Sequence, residues 1–298
     1  MTGEKEQGIS TVKSILVYPI KSCRGISLPQ APITSTGFKW DRQWLIINSK
    51  GRAYTQRVEP KLALVQVFLP DEAFSEDWQP NSNSYLEVKA PGMDVLKVPL
   101  AKPLKTADNA TVWEWCGSAL DEGASAAEWF STYLGKSSRL VRFNSDSEVR
   151  PVDPNYAHGH KVMFADGYPF LLISQVNSGI LVDGCFSFSE DLWTEIQINK
   201  LTFQGVKLCS RCKVPTINQE TALPGPEVGE TLSKFRSDEM LRPNKKQQKG
   251  RVYFGQNMVC RESLVLGVEK NTSNTMIIKV GDPVSVLKMV SSPDIAPA

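Results

Sequence analysis

At 298 residues with 41% hydrophobic side chains, the chain can bury one large core or two of ordinary size. Charged residues make up 22%, and a net charge of +2 gives no electrostatic reason to expect nucleic acid or an anionic membrane as partner. Met1 to Gln7 mix both charge signs without an apolar core, unlike a signal or transit peptide, and no stretch reaches the roughly 18 apolar residues of a membrane span. The expectation is a cytoplasmic protein whose six cysteines are reduced thiols.

In chain order, strand-like runs dominate the first half. Ile15 to Tyr18 leads into Pro19, Trp44 to Asn48 ends at Ser49-Lys-Gly51, and Leu62 to Leu69 stops at Pro70. Tyr85 to Ala90, Val95 to Leu100 and Thr111 to Trp115 complete the set. Short β-rich runs at such intervals predict a twisted sheet or small barrel. A helix is predicted over Ala126 to Leu134, with Gly135 placed to end it. Arg139 to Phe143 returns to the strand pattern, and the turn-rich stretch 144–167 reads as a loop joining two parts. Further strands are expected at Phe170 to Ser174, Ile180 to Val182, Leu201 to Leu208 and Ile277 to Val280. Between the last two lies a basic loop, Arg242 to Gly250, and the tail after Ser291 is expected to be disordered. The fold class is α+β and β-rich.

Four segments carry polar chemistry. Cys209-Ser-Arg-Cys212 places two thiols and a guanidinium at the end of an apolar run, and a nearby cation favours the thiolate that binds metals or attacks electrophiles. One Cys-x-x-Cys is a weak signal, because structural zinc takes four ligands and the other cysteines (23, 116, 185 and 260) are scattered. The histidines, His158 and His160, sit in a Gly-containing loop. Val214-Pro-Thr216 directly after the pair favours extended chain over the helix of a redox motif. Two buried structural cysteines remain the bland alternative. Lys21-Ser-Cys-Arg-Gly25 follows a proline-ended strand and offers a point charge, a hydroxyl and backbone N–H groups to a phosphate, or is a solvated turn. Arg42 either pairs with Asp41 at the surface or is drawn inward by an oxyanion, and Arg57 either pairs with Glu59 or does likewise.

Taken together and in order, Val17 to Gly25, Asp41-Arg-Gln-Trp44, Thr55 to Pro60, Cys209 to Cys212, Phe254-Gly-Gln256 and Ile278 to Pro283 resemble one family. It is the MOSC-domain proteins of the mitochondrial amidoxime-reducing-component type, particularly their plant members. The resemblance covers about residues 11 to 290. It implies an N-terminal MOSC β-barrel-like domain over 11–135 and a C-terminal MOSC β-barrel domain over 136–290. It also implies bound molybdenum cofactor, a molybdopterin dithiolene carrying the metal and a terminal phosphate. By resemblance Cys212 is the metal ligand and catalytic residue, while Lys21, Ser22, Arg42, Ser210, Arg211 and Asn257 bind the cofactor. Arg211 could help hold Cys212 as thiolate, Cys209 becomes a packing neighbour, and Glu190 and Asp191 are expected to be structural.

The implied reaction reduces N-hydroxylated compounds, such as amidoximes and hydroxylamines, to N–H products. Electrons would come from cytochrome b5 and NADH-cytochrome b5 reductase. The cofactor carries the redox chemistry, which is consistent with the lack of an acid–base pair or nucleophilic triad. Relatives with a membrane anchor make the mitochondrial surface an alternative location.

One departure stands out. The family places a helix and an Arg-Phe-Arg-Pro-Asn-like segment between two strands that here follow each other almost directly, Leu171 to Gln175 and Ile180 to Cys185. Roughly two dozen residues, enough for a helix and its loops, lack a counterpart near 175–180. Loss of one charged phosphate donor weakens binding by ~1.5–3 kcal/mol, about ten- to a hundredfold. The expectation is a chain that keeps the metal ligand but holds cofactor more weakly. The alternatives are a molybdenum-cofactor carrier or sulfur-transfer module, and a non-catalytic isoform.

Overall fold

The computed structural model describes residues 9–75, 77–101, 105–174, 179–246, 248–266 and 276–296. Its principal sheet has eight strands. In spatial order they are Ile26–Leu28, Thr11–Val17, Ile180–Asp183, Phe170–Ser174, Tyr253–Cys260, Leu201–Ser210, Trp193–Ile198 and Val284–Met289. A second sheet runs Trp44–Asn48, Ser138–Phe143, Trp115–Asp121 and Thr106–Val112. The two ends of the chain are therefore interleaved. Thr11–Val17 pairs antiparallel with Ile180–Asp183, and Ile277–Lys279 pairs with Gln30–Thr34.

Local chemistry explains these pairings. In Thr11–Val17 a strict two-residue alternation would send Val12 and Ile15 to opposite faces. The register shifts between Val12 and Ser14, and the extra residue turns Val12, Ile15 and Val17 all into the core. Behind the sheet, Phe170 packs edge-on against Phe38 at 5.0 Å and Phe203 at 5.3 Å between ring centres. The expected helix forms as Ala124–Leu134 and ends at Gly135 in the left-handed conformation (φ 69°).

Several expectations need correction. Leu62 to Leu69 is not one strand: Pro60–Leu64 forms a 3-10 turn that buries Leu62 and Ala63, and only Gln66–Phe68 is extended. Proline at the turn's first position, with its preset φ, favours that start. Thr111 to Trp115 is a hairpin tip, with strands Thr106–Val112 and Trp115–Asp121 on either side of Trp113-Glu114. Val214–Thr216 is a 3-10 turn, not extended chain. The tail is packed where it is described: Ala296 is buried beside Leu208 and Tyr253, and Asp294 accepts from Asn244.

The junction expected to lack a segment is flanked by two described strands. Phe170–Ser174 and Ile180–Asp183 are parallel neighbours, with Leu172 opposite Ile180 and Ser174 opposite Val182. Parallel neighbours ordinarily need a crossover of about a dozen residues or more, whereas 175–179 is all that joins this pair. Residues 175–178, where the departure falls, lie outside the described residues. Gly179 adopts φ 63°, and a Cβ there would lie 2.2 Å from the Leu171 carbonyl oxygen, so the crossing admits no side chain at that point.

Candidate cofactor site

The site begins where Thr11–Val17 ends. The Tyr18 amide donates to Asp41 Oδ1 at 2.8 Å, and the Lys21 amide donates to the Trp44 carbonyl at 2.9 Å. These bonds pull the turn against the second sheet, and Ser22 adopts φ 68° to complete it. Lys21 is thereby buried. Its Nζ donates to the Phe164 carbonyl at 2.8 Å and to Asp166 Oδ1 at 2.6 Å.

Asp166 is the hub of the arrangement. Arg57 approaches its other oxygen at 3.4 Å, and the Trp113 indole N–H donates to Oδ1 at 3.0 Å. Burial pushes the Asp166 carboxyl up, but the Lys21 and Arg57 charges and the hydrogen bonds outweigh it and hold it below the ordinary carboxylate range. Burial draws Lys21 down, and Asp166 offsets part of that cost. The backbone around Asp166 is held by Arg150, which donates to the Met163 carbonyl at 3.0 Å, the Ala165 carbonyl and the Asp166 carbonyl at 2.9 Å.

Arg42 closes another side. It is itself left-handed (φ 47°), pairs with buried Asp41, and lies 4.7 Å from the Tyr18 ring centre. Burial raises the Asp41 carboxyl, and the Arg42 pair and the Tyr18 amide counter it. Both alternatives for Arg42 thus hold in part: it pairs with Asp41, but the pair is drawn inward. Arg57 takes Asp166 in place of Glu59, which instead accepts from Lys136 at 2.5 Å.

Cys209–Cys212 enters from the far end of the Leu201–Ser210 strand. The Arg211 amide donates to the Val252 carbonyl at 2.8 Å, and its guanidinium donates to Cys209 Sγ at 3.4 Å. Burial raises the Cys209 thiol, with Arg211 opposing it. The guanidinium thus hydrogen-bonds Cys209, which was expected only to pack. Cys212 is exposed, so the bland reading of two buried cysteines does not describe it. The chain then returns to the first turn: Gln219 and Gln56 exchange amide hydrogen bonds at 3.0 and 3.2 Å, Gln56 donates to the Ser22 carbonyl at 2.8 Å, and Arg24 donates to the Gln219 carbonyl at 2.8 Å.

The donor set suits an anionic group beside a soft metal. Lys21, Arg42, Arg57, Arg150 and Arg211 gather around only Asp41 and Asp166 among the described residues. The Nε atoms of Arg57 and Arg211 are buried and lack an acceptor among those residues. Buried donors without partners cost about 1–3 kcal/mol each, and an anionic ligand would satisfy them. The exposed Cys212 thiol adds a soft donor.

Of the residues picked out from sequence, the structure gathers Lys21, Arg42 and Arg211 into this cluster. Ser22 contributes its carbonyl through Gln56. Ser210 is exposed at the strand end opposite Tyr253. Asn257 stands between Leu171 and Lys207 in the sheet, and its side chain makes no hydrogen bond to the cluster among the described residues. Glu190 and Asp191 lie in the interior: Ser174 donates to Glu190 at 2.5 Å, and Asp191 pairs with Arg236 at 2.6 Å. Sequence reasoning missed Asp166, Arg150 and Trp113. Asp166-Gly167 resembled any loop, and nothing local marked a carboxylate that three separate segments would converge upon.

The MOSC N-terminal beta barrel domain family matches residues 9–137, and the MOSC domain family matches residues 160–285. The chain belongs to the MOSC-domain proteins, carrying an N-terminal and a C-terminal MOSC domain in a β-rich fold. Its relatives include mitochondrial amidoxime reducing component 2 of Bos taurus, 28% identical over 93% of this chain and 83% of that protein. Mitochondrial amidoxime-reducing component 1 of Homo sapiens is 27% identical over 94% of this chain and 84% of its own length. That of Xenopus laevis is 28% identical over 95% and 84%. The bovine match runs to 307 positions, more than the 298 residues of this chain although it takes in only 93% of them, so it includes gaps on this side. No helix among the described residues is long and apolar enough to cross a membrane.

Proposed function

We propose that the chain is a molybdenum-cofactor-dependent reductase of N-hydroxylated compounds, supplied with electrons by cytochrome b5 and its NADH-dependent reductase. The observation that carries this reading is an exposed thiol, Cys212, beside a cation-rich cluster with unmet buried donors. When bound, the cofactor would supply the two-electron chemistry of N–O reduction. On this reading Cys212 presents a thiolate to the metal. Lys21, Arg42 and Arg57 offset the charge of the phosphate tail, and the Ser22 and Ser210 hydroxyls, Arg211 and Asn257 line the remainder. Asp166 keeps Lys21 charged in a buried setting, and Arg150 anchors the loop that presents Asp166. The work is divided between 11–135, which supplies Lys21, Ser22 and Arg42, and 136–290, which supplies the thiol.

The short 175–179 crossing favours weakened cofactor binding, by about ten- to a hundredfold if one phosphate-binding cation is absent. The deciding assay is NADH-driven reduction of benzamidoxime with cytochrome b5 and its reductase, run on cofactor-loaded wild type and Cys212→Ala. Turnover that vanishes in the variant is expected. A loaded, folded wild type that leaves benzamidoxime unchanged would overturn the reductase reading, and cofactor hand-over to an apo-enzyme in its place would indicate a carrier.

A further inference from the structure

Tyr18 engages Arg42 through both its backbone and its ring. Its carbonyl accepts from the Arg42 amide at 2.7 Å, and its own amide donates to the neighbouring Asp41 at 2.8 Å. The Arg42 guanidinium carbon then lies 4.7 Å from the centre of the Tyr18 ring. Among the described residues that guanidinium hydrogen-bonds Asp41 alone, through Nη1. Its Nε and Nη2 have no acceptor there and are left for an anion.

The same ring rests against a glycine. Thr11–Val17 and Ile26–Leu28 are antiparallel with Val17 opposite Ile26, so Tyr18 and Gly25 flank the turn that carries Lys21 and Ser22. A Cβ at Gly25 would lie 2.7 Å from Tyr18 Cε1 and 2.9 Å from Cζ. Gly25 is outside the left-handed region, so its backbone accepts alanine and only the ring stands in the way. The chain at this point is tied down, because the Arg24 amide donates to the Val65 carbonyl at 2.9 Å. A methyl group would therefore displace the ring, and with it the surface on which Arg42 lies. Burial raises the Tyr18 phenol, and Arg42 is the largest opposing charge, with Arg211 of the thiol segment a smaller one. The hydroxyl itself makes no hydrogen bond among the described residues, so the contact with Arg42 is made by the ring.

We propose that Tyr18 is a positioning residue of the cofactor site, its ring fixing the Arg42 fork for an anionic group and Gly25 leaving room for that ring. This role rests on the reading of the cluster as an anion site. An anion then meets a guanidinium already set in orientation, which lowers the ordering cost of binding. A tyrosine that only covered a glycine across two strands would support the fold without changing anion affinity.

The test measures, by calorimetry, the affinity of the full chain without cofactor for inorganic pyrophosphate, in a double-mutant cycle of Tyr18→Leu and Arg42→Gln. Tyr18→Leu should lower affinity about fivefold, and Tyr18→Phe, which keeps the ring, less than twofold. Gly25→Ala, the milder change, should give a loss of similar size to Tyr18→Leu. In the Arg42→Gln background neither Tyr18→Leu nor Gly25→Ala should have a further effect. Circular dichroism checks folding of each variant. Losses that are the same with and without Arg42 would overturn the proposal alone, as would a Tyr18→Phe loss equal to that of Tyr18→Leu. A folded wild type that does not bind pyrophosphate would overturn the anion-site reading and the proposal with it.

Discussion

On the inner side of Asp166, five cations face two carboxylates; in the outer cleft, Glu114, Asp153 and Asp166 face one guanidinium that already donates to three backbone carbonyls. Trp113, Trp115 and Tyr168 line the same cleft. Asp166 and Arg150 belong to both regions, so the difference comes from what surrounds them. Inside, the cations arrive from separate segments, and the Nε atoms of Arg57 and Arg211 are left unmet among the described residues. Outside, the charges sit on a hairpin tip and a loop, and the aromatic rings are braced by Arg57, Phe143, Phe164 and Tyr156. Two opposite charge patterns can therefore lie a few residues apart when a shared carboxylate is held ionised between them.

The largest expected effect follows from removing that wall. Asp166→Asn leaves Lys21 buried with its cationic neighbours and no counter-charge, and should cost about 3 kcal/mol, read as a lower denaturation midpoint. The figure sits at the low end for a broken pair because Asp166 is partly solvated. A loss within error of zero would mean the two regions are not separated by this ion pair.

The interior Glu190 provides a control with the opposite sign. Burial raises its carboxyl to about 7, with Ser174 lowering it and Asp191 adding to the rise. A native value above the unfolded one means this contribution is full below about pH 4.5 and is lost as pH rises through 7. Wild type should therefore lose of order 2 kcal/mol between pH 5 and 8 on this account, and Glu190→Gln should flatten that part of the slope in thermal melts. An unchanged slope would place the titration elsewhere.

Arg57→Lys keeps the charge but removes the planar fork whose Nε lacks a partner. Affinity for inorganic pyrophosphate, measured by calorimetry, should fall about tenfold, or 1.4 kcal/mol. The smallest expected effect is on the other side: Trp113→Ala should change stability by less than about 1 kcal/mol, because the ring is mostly exposed. A larger loss would make Trp113 a structural prop of the hub.

Much of the fold was legible because strand runs such as Trp44–Asn48 and the Gly135-terminated helix carry their signals locally. The interleaving was not: nothing in Thr11–Val17 announces that its neighbour is Ile180–Asp183. Trp113-Glu114 was read through as strand because neither residue is a usual left-handed turn former. At the candidate site, the ordered motifs pointed to Lys21, Arg42 and Cys212, and the structure places Lys21 and Arg42 in one cation cluster and leaves Cys212 exposed. Asp166 escaped because its role is created by Lys21, Arg57 and Trp113 meeting it from 145, 109 and 53 residues away.

The central claim, that the cluster around Cys212 holds a molybdenum-bearing pterin, is tested most directly by metal and pterin content of chain purified from a cofactor-producing host, beside Cys212→Ala. Molybdenum and pterin should co-purify with the wild type and decline on prolonged washing, and the metal should fall at least tenfold in the variant. Equal metal in both proteins, or none in a folded wild type, would contradict the account.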